Sequence, residues 1–319
     1  MTRYEQKPLD LCGLRTVSLQ ARGGKVRVEH FARPYRKGTG LAAWVERLPR
    51  VLAAESFRAL VDAIANARAL GKPVIWGLGG HVIKCGLAPV LIDLMDRGYA
   101  TAFALNGAAA IHDFEIALAG ATSEDVEAAL PDGSFGTAEE TGRRMNEAVR
   151  EAASEGIGMG EALGRHLQSA ADPRFREQSL LATAWQRRVP VTVHVAVGTD
   201  TPHTHPAADG AALGAASHHD FRLFCGLVAG LDHGGVYLNT GSAVILPEVF
   251  LKAVSVVRNL GHRLEEFTTA NLDFIQHYRP RVNVLERPHA RAGGRGIALI
   301  GHHELMLPLV AAALIEGES

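Results

Sequence analysis

Cysteine, lysine and aromatic side chains are scarce in this chain. Three cysteines (Cys12, Cys85, Cys225) occur in 319 residues, and no two form a CxxC pair. That argues against a disulfide scaffold or a thiolate zinc site, and it fits a reducing, cytoplasmic setting. Cys85 and Cys225 fall in apolar helical contexts and read as small core residues. Lysines number six, the last being Lys252. Net charge is -1. Neither a nucleic acid nor a membrane surface is therefore an expected partner. No apolar run reaches the ~18 residues of a membrane span. The start, Met1 to Lys7, is polar and lacks a signal-peptide core.

What the chain does have is a repeated unit: an apolar run, a glycine or polar loop, then a helical pattern. The first copy is Pro73-Val74-Ile75-Trp76-Gly77-Leu78-Gly79-Gly80-His81-Val82-Ile83. Such a loop aims backbone N–H groups and a helix N-terminus at whatever docks there, most often phosphate. The competing reading is a tight turn that lets helix and strand pack closely. Further strands are expected over 99–105, 191–197, 235–238, 266–269 and 296–300. Their loops begin at Asn106, Gly198, Asn239, Thr269 and Gly301. Alternation of this kind predicts an α/β fold, a Rossmann-like parallel sheet with helices on both faces. Ligands then bind outside the carboxyl ends of the strands.

Around this frame, residues 1–70 read as an extension. A hairpin is expected there, with Val17–Gln20 and Val26–Glu29 alternating about Gly23-Gly24. A helix follows over 41–70. Residues 121–170 read as a helical excursion, with capping-box patterns at Thr122/Asp125 and Thr137/Glu140. The whole of 1–319 is expected to be one domain.

The loops, in this order, resemble deoxyhypusine synthase over most of residues 70–315. Gly77 to Leu87 is similar to that family's GxTSNxxxxGL segment, and Leu105 to Asp113 to its TTGAGIEHD-type segment. Ala208-Asp209-Gly210 with Gly214 matches its TDGxxG region. Thr240 to Val244 sits where the family has GGGV, and Thr269-Ala270 matches the TA of its NTAQ. Ile300 to Leu309 resembles YADASLVFPL. The resemblance implies one large Rossmann-like domain, bound NAD, a small-molecule substrate, and a homotetramer with active sites between subunits. As cofactor-binding residues it implies Gly79, Gly80, His81, Asn106, Gly107, Ala108, Asp113, Asp209, Gly241, Thr269 and Ala270.

At the chemistry the chain departs from the family. Deoxyhypusine synthase forms an imine on a lysine within a WGK segment. Arg287-Pro288-His289 stands there, and no lysine follows Lys252. The histidine that follows the family's GGGV loop is replaced by Ile245-Leu246-Pro247-Glu248. The family's polyamine-binding acidic segments are replaced by Asn271 to Arg281, with two arginines that suit an anion better than a polycation. The chain thus reads as a divergent, bacterial-type member without the catalytic lysine. The expected activity is NAD-dependent, transferase or oxidoreductase, on a small amine or amino-acid-type metabolite, with no lysine imine.

Fifteen histidines supply the acid/base candidates. His289 and His302 are the chosen pair, with Glu248 as a carboxylate. Glu248 reads more simply as a first-turn glutamate stabilised by the helix dipole, with Pro247 as the first helical residue. His203-Thr204-His205 invites a metal, but HxH in a loop is a weak signal and no metal ligand is assigned. The alternatives are a metal- or histidine-assisted hydrolase or lyase, and a non-catalytic protein that binds a nucleotide or anionic metabolite.

Overall fold

A computed structural model describes residues 3–291 and 293–318. Met1 and Thr2, the first residues of the polar start, lie outside it.

Six parallel strands form one sheet: β1 (Val74–Leu78), β2 (Ala102–Asn106), β3 (Val191–His194), β4 (Val236–Thr240), β5 (Thr268–Asp273) and β6 (Arg295–Ile300). Their spatial order is β3-β2-β1-β4-β5-β6. This is the doubly wound order of dinucleotide-binding sheets, which reverses direction between β1 and β4. Strands β1 to β5 are almost wholly buried, as near-continuous apolar runs in a parallel sheet require. Only β6, at the edge, alternates, with Ile297 and Leu299 inward and Ala298 and Ile300 exposed.

The helices are α1 (Gly40–Arg47), α2 (Leu52–Ala69), α3 (Gly80–Lys84), α4 (Ala88–Asp96), α5 (Gly107–Ala119), α6 (Val126–Ala129), α7 (Glu139–Glu155), α8 (Met159–Ala170), α9 (Leu180–Gln186), α10 (Gly210–Ala229), α11 (Ile245–Asn259) and α12 (His303–Glu316). Two cores result, one on each sheet face. Trp76, Leu78, Phe103, Leu105, Leu238 and Leu272 point into the larger, beneath α2, α4, α5 and α12. Ile75, Ala104 and Tyr237 point into the smaller, against Phe224 of α10 and Phe250 of α11. Tyr237 and Phe250 stack with ring centroids 3.9 Å apart. Trp76 is fully buried, and its indole N–H donates to the Tyr99 carbonyl at 3.0 Å.

Several local expectations are corrected. No strand forms among the described residues before β1; residues 3–39 are irregular apart from a single 3-10 turn at Val28–His30, and nearly all are exposed. A hairpin there would have no sheet face to bury, and an isolated two-stranded ribbon is marginal in water. The helix expected over 41–70 breaks at Leu48–Val51, where Pro49 interrupts it. After β1 the helical stretch is likewise broken, at Cys85–Leu87, and Gly98 closes α4 with φ +79.

Neither capping box forms in 121–170. Asp125 itself caps α6, while Thr122 donates to Glu115 and Thr137 to the Ser134 carbonyl. Residues 139–170, part of the expected helical excursion, pack onto the sheet. Met145, Val149, Leu163 and Leu167 of α7 and α8 enter the larger core. Proline 247 is the third residue of α11 rather than the first, still in the turn whose N–H groups lack helical partners. Strand β5 runs to Asp273, so Thr269 and Ala270 lie inside the sheet instead of in a loop.

Candidate functional site

The carboxyl ends of β1 and β4 carry two short turns that press on each other. Gly79 is the single residue between β1 and α3, and its N–H donates to the Thr240 carbonyl at 2.8 Å. A Cβ on Gly79 would lie 2.0 Å from the Gly241 carbonyl oxygen. One on Gly80 would lie 2.8 Å from the Ala108 Cβ, at the start of α5. Both glycines are therefore required by packing alone. Gly77 and Leu78 belong to the strand.

Around these turns the strand ends are polar and buried. Asn239 donates to the Ser242 carbonyl at 2.9 Å and to the Asn271 side chain at 2.6 Å. Asn271 in turn donates to Gln276 at 2.8 Å. His303, 2% exposed at the first position of α12, sits against Gly241, with its Nε2 3.7 Å from Asp273 Oδ1. Burial lowers the His303 pKa against the opposing pull of Asp273. The His81 ring lies 5.9 Å from the His303 ring. Among the described residues, Asn239 Oδ1 and Thr240 Oγ1 are buried without a hydrogen-bond partner.

The adjoining start of α5 is built differently. Asn106 caps it, accepting from the Ala109 N–H at 2.9 Å. Over Gly107 lies the Asp200 carboxylate, so close that a Cβ would meet Oδ2 at 2.1 Å. Burial raises the Asp200 pKa, and its Oδ2 has no hydrogen-bond partner among the described residues. A carboxylate of the chain's own thus stands at the helix N-terminus where an anion would otherwise be favoured.

Among the described residues, no helix is long and apolar enough to cross a membrane. No protein-family model and no curated sequence matches the chain. Solved structures do. A candidate deoxyhypusine synthase from Entamoeba histolytica aligns at 10% identity, over 90% of this chain and 96% of its own, with a TM-score of 0.51. The fold is deoxyhypusine synthase-like. ArgZ, an arginine dihydrolase of the cyanobacterial ornithine–ammonia cycle, aligns in its apo form at 16% identity and TM-score 0.50, over 85% of this chain. AgrE, in a complex with ornithine and NAD+, aligns at 15% identity and TM-score 0.49, over the same share. This chain spans 34% of the length of each of these two. At such identities the likeness is one of fold.

Within the deoxyhypusine synthase-like fold, the candidate residues divide into groups. Gly79, Gly80, His81 and Gly241 meet at the β1–β4 switch, with Asn106, Gly107 and Ala108 beside them. Asp113 turns away to α9. Its carboxylate accepts from Leu180 N–H at 2.7 Å, Leu181 N–H at 2.9 Å and the Ser179 hydroxyl at 2.6 Å, and burial pushes its pKa up to about 6. Asp209 caps α10, accepting from the N–H groups of Ala211 and Ala212. Thr269 donates to the Val284 carbonyl at 2.7 Å, and Ala270 is fully buried in the larger core.

The acid/base candidates do not converge. His289 bonds Thr269 Oγ1 at 2.7 Å and lies beside Gly293, ahead of β6. Thr269 pairs with Gly296 near the strand starts, so His289 stands at the amino edge of the sheet. His302 follows the other end of β6, a strand length of about 17 Å away at 3.3 Å per residue. Of the two, His302 alone follows the carboxyl end of a strand. His302 is exposed and stacks on Phe274 at 5.9 Å. Glu248 is engaged in ion pairs with Lys252 and with Arg279 (3.2 Å), and accepts from Asn283 at 2.9 Å. Those cations hold its carboxyl below the usual range, Lys252 most strongly. Arg281 pairs instead with Glu286, so the two arginines form no clamp. His203 accepts from the Gly198 N–H while His205 reaches Glu139, so this HxH pair diverges.

Sequence reasoning passed over Asn239, Asn271, Asp273 and His303 as site residues. A signal existed for three of them: a polar residue at or near the end of a buried strand, which needs a partner of its own there. For His303 the cue was weaker, since only packing separates it from its neighbour His302.

Proposed function

We propose that this protein is an NAD-dependent enzyme acting on a small amine or amino-acid-type metabolite, without a lysine imine. The observation that carries the reading is the sheet reversal at β1–β4, crowned by buried acceptors that lack partners. A buried unpaired acceptor costs about 1–3 kcal/mol, and a ligand donating to it recovers that cost. The hydroxyl groups and amide of a dinucleotide are donors of this kind, so the residues present fit the group. Gly79, Gly80, His81, Asn239, Thr240 and Gly241 would hold it, with Asn106 and Ala108 alongside; the space over Gly107 is already filled by Asp200. Bound NAD would supply hydride acceptance. Asp273, buried at the end of β5, offers negative charge for a substrate ammonium, and His302 or His303 a proton acceptor. A homotetramer, carried over from the family resemblance, belongs to the same proposal.

Calorimetry with NAD+ on ligand-free protein, together with native mass spectrometry, tests this reading. Thr240→Val is the informative variant. It removes a hydroxyl that has no partner, so the fold should be unharmed or slightly stabilised, while NAD+ affinity should fall about tenfold. No NAD+ binding by wild type at millimolar concentration would overturn the proposal.

A further inference from the structure

A second cluster lies on the same sheet edge, outside the buried amide network. His81 and Cys85 are one helical turn apart on the same side of α3, linked by the Cys85 N–H to His81 carbonyl bond of 3.0 Å. Glu304, in the first turn of α12, joins them because His303 packs against both His81 and Gly241. One ligand atom from each of His81, Cys85 and Glu304 lies within 4.8 Å of the other two. Tetrahedral zinc with bonds of 2.0–2.3 Å places its ligands about 3.5 Å apart. His81 and Glu304 are exposed and Cys85 is half-buried, which leaves the two outer side chains room to approach the thiol.

We propose that His81, Cys85 and Glu304 form a divalent zinc site with one open coordination position. The donor set selects the metal. A thiolate with an imidazole is too soft for magnesium or calcium, and a carboxylate completes the set for borderline zinc. Three protein ligands leave the fourth position to water, the arrangement of catalytic rather than structural zinc. A water held there would be acidified toward neutrality, beside the buried His303–Asp273 pair. The site stands independently of the dinucleotide reading, except that a metal would claim His81. It differs from the thiolate sites excluded by the sequence, which need paired cysteines.

The test uses the full-length, tag-free protein in the absence of NAD+. Zinc is added, excess is removed by gel filtration, and bound metal is counted by elemental mass spectrometry. Cobalt(II) is then used as an optical probe. One zinc per chain is expected, with a sulfur-to-cobalt charge-transfer band that Cys85→Ser abolishes and Cys12→Ser leaves intact. Because Cys85 is half-buried, the exposed His81→Ala and Glu304→Gln variants provide a second readout, each expected to weaken zinc binding at least tenfold. Circular dichroism confirms that each variant is folded. Substoichiometric zinc in wild type, or a cobalt complex without the charge-transfer band, would overturn the site. So would unchanged zinc affinity in the folded His81→Ala protein. None of these results depends on whether NAD+ binds.

Discussion

The Cβ that Gly79 lacks would fall 2.0 Å from the carbonyl oxygen of Gly241. Gly79 has φ -83 and ψ 162, a conformation any residue adopts. Alanine there brings no backbone strain, and by unfolded-state entropy it would stabilise the fold by about 0.4–1 kcal/mol. The contact reverses that sign. Gly79→Ala is expected to destabilise by about 2 kcal/mol or more in denaturant unfolding. Gly214→Ala, in α10 with open space around it, should instead stabilise by up to about 1 kcal/mol. If both variants shift stability alike, the two turns are not in contact.

Asp113 receives three hydrogen bonds from the start of α9, and Asp113→Ala would leave those donors buried and unpaired. A loss on the order of 3 kcal/mol is expected. Any NAD+ affinity, measured at a temperature where the variant is folded, should stay within a factor of two. A large affinity loss with little change in stability would assign Asp113 to the ligand instead.

Asp220 anchors the start of α8 to β3, accepting from Gly160 N–H at 2.9 Å and Val193 N–H at 2.8 Å. Burial raises its pKa from 3.8 to about 7. Between about pH 4 and 7 the folded protein therefore holds a proton that the unfolded chain has released. This contribution to stability is fully present below pH 4 and is lost as pH rises through 7. Asp113, raised to about 6, acts in the same direction. The stability difference between wild type and Asp220→Asn should decline with rising pH across that window, by at most about 1.4 kcal/mol per unit. A pH-independent difference would show that Asp220 is ionised throughout.

His289 and His302 separate by the readout they move. His289→Gln breaks the bond to Thr269 beneath the sheet, and about 1–2 kcal/mol of stability should go with it. Ligand binding should be unaffected. His302→Gln, exposed at the carboxyl edge, should leave stability within about 0.5 kcal/mol and lower turnover of any NAD-dependent reaction. Parallel melts and activity assays decide the matter; the reverse pattern would move the chemistry to the amino edge.

Local pattern made the sheet legible. Every expected strand is present, because buried parallel strands must be short apolar runs; the one expected over 191–197 ends at His194, since residues 195–197 continue the apolar pattern without a pairing strand. The boundaries shifted where both readings satisfy the pattern. Thr269 and Ala270 are as compatible with a loop as with a strand, and only pairing with Gly296 and Ile297 settles them. The expected hairpin at 17–29 failed because alternation without a partner sheet buries nothing.

The chain's own residues determined the alternation, the parallel sheet and the glycine turn between β1 and α3, since these follow from backbone sterics and burial over a few residues. Tertiary structure alone decided which side chains share a site. It set Asp113 against α9 and Asp200 over Gly107. It separated His289 from His302 by the length of a strand, and brought Glu304 to His81 and Cys85 across more than two hundred residues. Such meetings depend on the crossing of helices over a sheet, and no local spacing encodes them.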